Sequence, residues 1–241
     1  MGNIFRFFLI TLSIMVISSC GFVEDKLSCE DILENTYSES SLNNFEKNKF
    51  NDLLSMRYPK FDDMFKTAAE ETNIEKNLLA AISFQESQWD PRAKSSMGVR
   101  GMMMVTLETA ALVGVEKRLN PDQNIQGGAK YFAMLYEKNK IGPTKADKLS
   151  ITLASYNLGP TNIINVAKEI NTDIENVSWS EIEDELKSIE SSKLNLTDNG
   201  SYTRGQQAID YVNRVKDYYS CLLYTSPSPR DRTRSRMPSS A

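Results

Sequence analysis

Histidine is absent from the 241 residues. That absence excludes Ser-His-Asp and Cys-His nucleophilic triads and nearly all His-ligated zinc hydrolases. An enzyme built on this chain must work with carboxylates, hydroxyls, lysine or cysteine. Cysteine itself is scarce, with three in the chain. A basic excess is also missing: 28 Lys and Arg face 32 Asp and Glu, a net charge of −4. Nucleic acid favours a basic partner, so no nucleic-acid partner is expected. The main apolar run, Phe7 to Ile17, is too short to span a bilayer comfortably. What is present is ordinary for a soluble globular protein: 40% hydrophobic and 25% charged residues. The length suits one sizeable core or, at most, two small domains.

The two ends differ from the middle. Arg6 ahead of the apolar run reads as a secretory signal over residues 1–19. Ile17-Ser18-Ser19-Cys20 resembles a bacterial lipobox. That resemblance implies lipidation of Cys20 and a multiply acylated membrane anchor, since more than one chain gives stable attachment. A plain cleaved signal with an incidental cysteine is the other reading. Gly21, in place of Asp, is similar to lipoproteins of the outer membrane that face the periplasm. Residues 20–55 are polar, with many Asn, Ser and Glu and no clear periodicity, and read as a tether. At the other end, residues 222–241 are Ser, Pro and Arg with little apolar content, so disorder is expected. That tail resembles translated adapter read-through, and a non-native origin is expected for it. Setting aside its four Arg and one Asp leaves 24 basic against 31 acidic residues, a net of −7. Cys29 and Cys221 could pair in an oxidising compartment, but one lies in the polar leader and the other abuts the tail.

Between residues 56 and 221 the pattern is helical. Phe61, Met64, Phe65, Ala68 and Ala69 recur at three and four, as do Ile125, Ala129, Phe132, Leu135 and Tyr136. Thr106 is placed to cap a helix, and Pro160 fits a first helical position after Gly159. Ser178 and Glu181 have capping-box spacing before Ile182 and Leu186. Ala208, Tyr211, Val212 and Val215 close the series. No alternating strand or hairpin pattern of consequence appears. The expected class is all-α, a single domain over residues 56–221.

Glu86 breaks the pattern. It falls four after Ile82, seven after Leu79 and eight after Leu78, on the apolar face of a helix near its end. Burial disfavours the charged form, and a carboxyl still protonated near neutrality suits a general acid. A Glu tilted to solvent, or paired with Arg92 or Arg100, is the structural alternative.

Three segments around it occur in a telling order. Glu86-Ser87 is followed by Gly98-Val99-Arg100-Gly101-Met102-Met103-Met104, then by Ala154-Ser155-Tyr156-Asn157-Leu158-Gly159. In this order they resemble the soluble-lytic-transglycosylase (SLT) domain, a goose-type lysozyme-like family (glycoside hydrolase family 23), over about residues 57–219. The three methionines and Tyr202-Thr203-Arg204-Gly205 are similar to a membrane-bound branch of that family. That branch carries a solute-binding-like regulatory domain ahead of the catalytic one. Only a short polar leader precedes residue 56, so the chain reads as a lipid-tethered catalytic module.

The resemblance implies a lysozyme-like helical fold and a lytic transglycosylase acting on peptidoglycan as a monomer. It implies that Glu86 is the catalytic acid and that Ser87, Ser95, Met103, Tyr156 and Asn157 contact substrate. The methionines could equally be core filler, and Tyr156 an interior aromatic with its hydroxyl satisfied. In the family, one acid protonates the oxygen between N-acetylmuramic acid and N-acetylglucosamine, with help from the 2-acetamido group. The same carboxylate then takes the proton of the muramic 6-hydroxyl, which closes a 1,6-anhydro ring. Such cleavage needs no metal and no cofactor. Ordinary glycosidases use two carboxylates, and the nearest in sequence, Asp90 before Pro91, looks like a turn residue. Two departures stand out: Met104 where many members have Gln, and Gln207 where many have Glu. A lysozyme-type muramidase and an inactive peptidoglycan-binding lipoprotein are the other functional readings.

Overall fold

A computed structural model describes residues 27–33, 40–95, 98–188 and 203–225. Among them, the first five helices are α1 (Cys29–Leu33), α2 (Asn44–Met56), α3 (Asp62–Thr72), α4 (Lys76–Ser87) and α5 (Leu107–Val113). The others are α6 (Pro121–Lys138), α7 (Lys145–Leu158), α8 (Pro160–Ile170), α9 (Trp179–Ser188) and α10 (Arg204–Thr225). The all-α expectation holds. The described residues contain no strand, only two isolated bridges, Lys94 to Arg100 and Arg100 to Val105.

The middle of the fold is built on α4 and α7. From Leu78 to Phe84 every residue of α4 is buried, including Ser83, so this helix is covered on all sides. Its main partner is the long α10, which also packs on α7, while α3 lies on α6 and α8 on α7. Buried hydroxyls on α7 are satisfied locally: Ser150 and Thr152 donate to the carbonyls one turn back, on Ala146 and Lys148. No helix among the described residues is long and apolar enough to cross a membrane.

The helix ends follow their sequence signals. Thr106 caps α5, Pro160 opens α8, and Ser178 and Glu181 form reciprocal bonds at the start of α9. Pro121 opens α6 behind an Asn120 cap.

The polar tether expected over residues 20–55 needs correction. Its later part is α2, opened by a capping box between Asn43 and Glu46. Phe50 is fully buried, stacked on Tyr218 with centroids 5.2 Å apart and edge-on to Phe84 at 4.7 Å. Glu46 pairs with Arg214 at 2.8 Å, and the backbone N–H of Ser41 donates to buried Asp217 at 2.8 Å. Phe50, with the half-buried Leu53 and Leu54, packs this helix on the core, and two polar clasps tie it to α10; its apolar positions form one short run in a polar segment. At the other end, α10 runs through Leu222, which is buried, to Thr225. The signal, Cys20 and the tail beyond 225 lie outside the described residues. Cys29 and Cys221 are not joined in a disulfide, and the Tyr219 hydroxyl donates to Cys29 Sγ.

Candidate active site

Glu86 occupies the last turn of α4. The helix stops one residue later, because Gln88 and Trp89 both take left-handed backbone angles, φ 54° and 56°. Such angles are uncommon for residues other than glycine, and here the surroundings hold them. Trp89 is fully buried, and its indole N–H donates back to the Ala80 carbonyl at 2.9 Å. Arg57 binds the Gln88 carbonyl at 2.8 Å. The turn is therefore clamped from both sides, and Glu86 faces α10.

On α10 the partner is Tyr211. Its buried hydroxyl donates to Glu86 Oε1 at 2.7 Å. No arginine pairs with Glu86 among the described residues, which removes the structural alternative of Arg92 or Arg100. Burial pushes the Glu86 carboxyl up to about 7, against the Tyr211 hydrogen bond, which pulls it down. No other carboxylate among the described residues contributes to that shift. Burial, and then the charge of Glu86, hold the phenols of Tyr156 and Tyr211 well above the usual tyrosine range. Both remain hydrogen-bond donors.

The methionine loop forms the adjoining wall, held through its backbone. Met102 O accepts from the Ser87 hydroxyl at 2.7 Å and the Ser83 hydroxyl at 3.0 Å. Met103 O accepts from the Tyr156 hydroxyl at 2.8 Å, and Met103 N donates to Asn124 Oδ1 at 2.8 Å. Asn124, fully buried on α6, also donates to the carbonyls of Arg100 and Arg118. Gly101 has φ +88°, and a Cβ there would lie 2.6 Å from the Arg118 carbonyl oxygen, so this close approach demands glycine.

This geometry changes two of the expected contacts. Ser87 turns its hydroxyl inward and positions the loop; it is buried and bound to Met102 O. The Met103 side chain is fully buried against Gly128, where a Cβ would come within 2.5 Å of it. Met102 and Met103 are thus core filler, and the half-exposed residue is Met104, at φ +47°. Tyr156 serves both readings, since its ring is half-buried and its hydroxyl braces the loop. Ser95 closes a turn in which its hydroxyl accepts the Val99 N–H at 3.1 Å. Asn157 follows Tyr156 on α7, with its Oδ1 buried and unpartnered among the described residues. Asp90 is a turn residue: its carboxylate accepts the Arg92 N–H at 2.9 Å.

Sequence reasoning placed Tyr211 in the core and missed its role. Helical spacing does put it on the buried face, but a buried phenol needs a partner, and that requirement was the available signal. One turn earlier on α10, Gln207 accepts from Arg204 at 2.6 Å.

A helical fold in which a half-buried acid on α4 meets a tyrosine on α10 beside a braced loop defines a class. Residues 63–177 match the family described as "Transglycosylase SLT domain". Among curated relatives it is similar to membrane-bound lytic murein transglycosylase F. It is 39% identical to that protein of Aeromonas hydrophila over 169 residues, 69% of this chain and 33% of the relative. It is 36% identical to that of Saccharophagus degradans over 176 residues, 71% of this chain and 34% of the relative. The chain thus spans about one third of the length of these relatives. The X-ray structure of the lytic transglycosylase Slt from Pseudomonas aeruginosa shares the fold. Its TM-score is 0.50 at 20% identity, over 71% of this chain and 26% of that one.

Proposed function

We propose that this chain is a peptidoglycan lytic transglycosylase. The observation that carries the reading is Glu86, an acid with no second carboxylate acting on it among the described residues, its carboxyl raised to about 7 by burial and one oxygen bound by Tyr211. With Oε1 accepting from Tyr211, the proton of the neutral acid sits on Oε2, free to meet the substrate. Glu86 donates that proton to the glycosidic oxygen as the bond to the muramic anomeric carbon breaks. The resulting carboxylate then accepts the proton of the 6-hydroxyl as that oxygen bonds to the same carbon. Proton and bond counts balance without water, and Glu86 ends protonated, ready for another turn. General acid–base help of this kind contributes roughly 10²–10⁴-fold.

Asn157 supports the substrate side of this reading. An unpaired buried carbonyl costs about 1–3 kcal/mol, and an amide or hydroxyl of a bound sugar would satisfy it. Ser95 and the half-exposed Met104 are the other contacts proposed for the cleft. The catalytic unit is the helical domain, now extended to begin with α1, whose Ile32 is fully buried in the same core. Anchoring through a lipid on Cys20 in the outer membrane, and action as a monomer, complete the proposal.

The test is digestion of peptidoglycan in heavy-oxygen water. Transglycosylation leaves the products unlabelled. Label at the new muramic end would make the protein a muramidase.

A further inference from the structure

The last turn of α4 is held from a direction that the cleavage steps do not use. Gln88 and Trp89, in succession, keep left-handed backbone angles without being glycine. Such a pair stands only where its surroundings over-determine it, and strain of this kind gathers at functional sites. The Gln88 N–H still donates to the Phe84 carbonyl at 2.8 Å, closing the turn that carries Glu86. If Gln88 relaxed to an ordinary angle, that bond would open, and the aim of Glu86 at Tyr211 would go with it.

Three of the holding contacts come from the segment before α3. The Trp89 ring lies 5.6 Å from that of Phe50 on α2 and 4.8 Å from that of Tyr58. Arg57 sits between α2 and the tight turn Tyr58–Lys60, and its Nη1 donates to the Gln88 carbonyl at 2.8 Å. It takes part in none of the ion pairs among the described residues. Its charge does not act on Glu86 directly, since burial and the Tyr211 hydrogen bond are what shift that carboxyl. The titratable groups that feel the charge of Glu86 are Tyr211 on α10 and Tyr156 on α7. Phe50, Arg57 and Tyr58 all precede residue 63, where the match to the SLT family begins.

We infer that Arg57 is a positioning residue for the cleavage: through the Gln88 carbonyl it pins the left-handed turn that holds Glu86 against Tyr211. The inference rests on the proposed function for its effect on rate, and not for its effect on the acid. The leader thus serves the site as well as the core. Without Arg57 the turn relaxes, the end of α4 frays and water reaches the carboxyl, which relieves the burial that raises it. The acid then titrates lower, and the alkaline limb of the pH–rate profile moves to lower pH.

The experiment follows the Glu86 carboxyl by NMR titration of the full chain with carbon-labelled glutamate, beside cleavage of purified sacculi. The signal is assigned by its loss in Glu86→Gln. Wild type should titrate at about 7. In Arg57→Ala the midpoint should fall by roughly one pH unit as the carboxyl is hydrated. Its kcat should fall roughly tenfold with KM unchanged, as for a slightly misplaced reacting group. Arg57→Lys should restore both, because one N–H to one carbonyl does not need the guanidinium fork. A midpoint that stays in place in Arg57→Ala, with or without a loss of thermal stability, overturns the inference, as does a shift that Arg57→Lys leaves unreversed. Glycine takes the left-handed angle without strain. Adding Arg57→Ala to Gln88→Gly should therefore leave Glu86 titrating as in Gln88→Gly alone. A shift there overturns the inference even if Arg57→Ala by itself fails to fold. A wild type whose Glu86 titrates as expected but which cleaves nothing overturns the proposed function and leaves the titration test of Arg57 intact.

Discussion

The phenol oxygen of Tyr211 lies 2.7 Å from Glu86 Oε1, across 125 positions of sequence. This contact opposes the desolvation of the acid and fixes which oxygen carries the proton. In Tyr211→Phe the donor that favours the carboxylate is gone, so the Glu86 pKa should rise above its value of about 7. A general acid works below its pKa, so the alkaline limb of the pH–rate profile should move to higher pH. The maximal rate should fall roughly 10- to 100-fold, the worth of a hydrogen bond to a charged group. A limb that stays in place would mean that Tyr211 does not tune the acid.

Burial of Glu86 also has a stability signature. Its folded-state pKa is raised from 4.5 to about 7. Its contribution is therefore fully present below the unfolded value and is lost as pH rises through the folded one. Above neutrality the protein carries a desolvated charge. Glu86→Gln should thus be more stable than wild type at pH 8, by up to about 3 kcal/mol, with the gap closing near pH 4. Thermal unfolding at the two pH values checks this. A mutant destabilised equally at both would show that the carboxylate is not desolvated.

Ser83 and Ser87 share one acceptor, the Met102 carbonyl. Either serine alone keeps it paired, so each single change to alanine should cost about 1 kcal/mol. The double change strands a buried carbonyl and should exceed the sum by about 1–2 kcal/mol. Denaturant melts of the four proteins measure this coupling. Strict additivity would mean that the loop does not depend on the shared acceptor.

Phe50 tests whether the leader belongs to the fold. Its ring is fully buried between Phe84 and Tyr218. Phe50→Ala should cost about 3–5 kcal/mol, as truncation of a core aromatic does. A loss below 1 kcal/mol in chemical denaturation would return α2 to the status of a tether.

What the sequence made legible follows from periodicity and caps. The helices from α3 onward carry dense apolar repeats, and Thr106, Pro160 and the Ser178–Glu181 pair mark their starts. Glu86 was legible because a carboxylate on an apolar face contradicts its surroundings. The leader was not, because Phe50, Leu53 and Leu54 are one short apolar run in a polar helix and the partners of Phe50 lie far along the chain on α4 and α10. The inward turn of Ser87 and Met103 was hidden for a similar reason. Their partners are backbone carbonyls and a glycine, Gly128, that spacing does not reveal. Tyr211 fits the hydrophobic period whether or not its hydroxyl does chemistry.

The central claim is that Glu86 alone runs both proton transfers. Its most direct test is mass spectrometry of muropeptides released from purified sacculi by the wild type and by Glu86→Gln. The wild type should release products lighter by one water than their hydrolysed counterparts, and the mutant should release none. Hydrated reducing-end products from the wild type, or anhydro products that persist in the mutant, would contradict it.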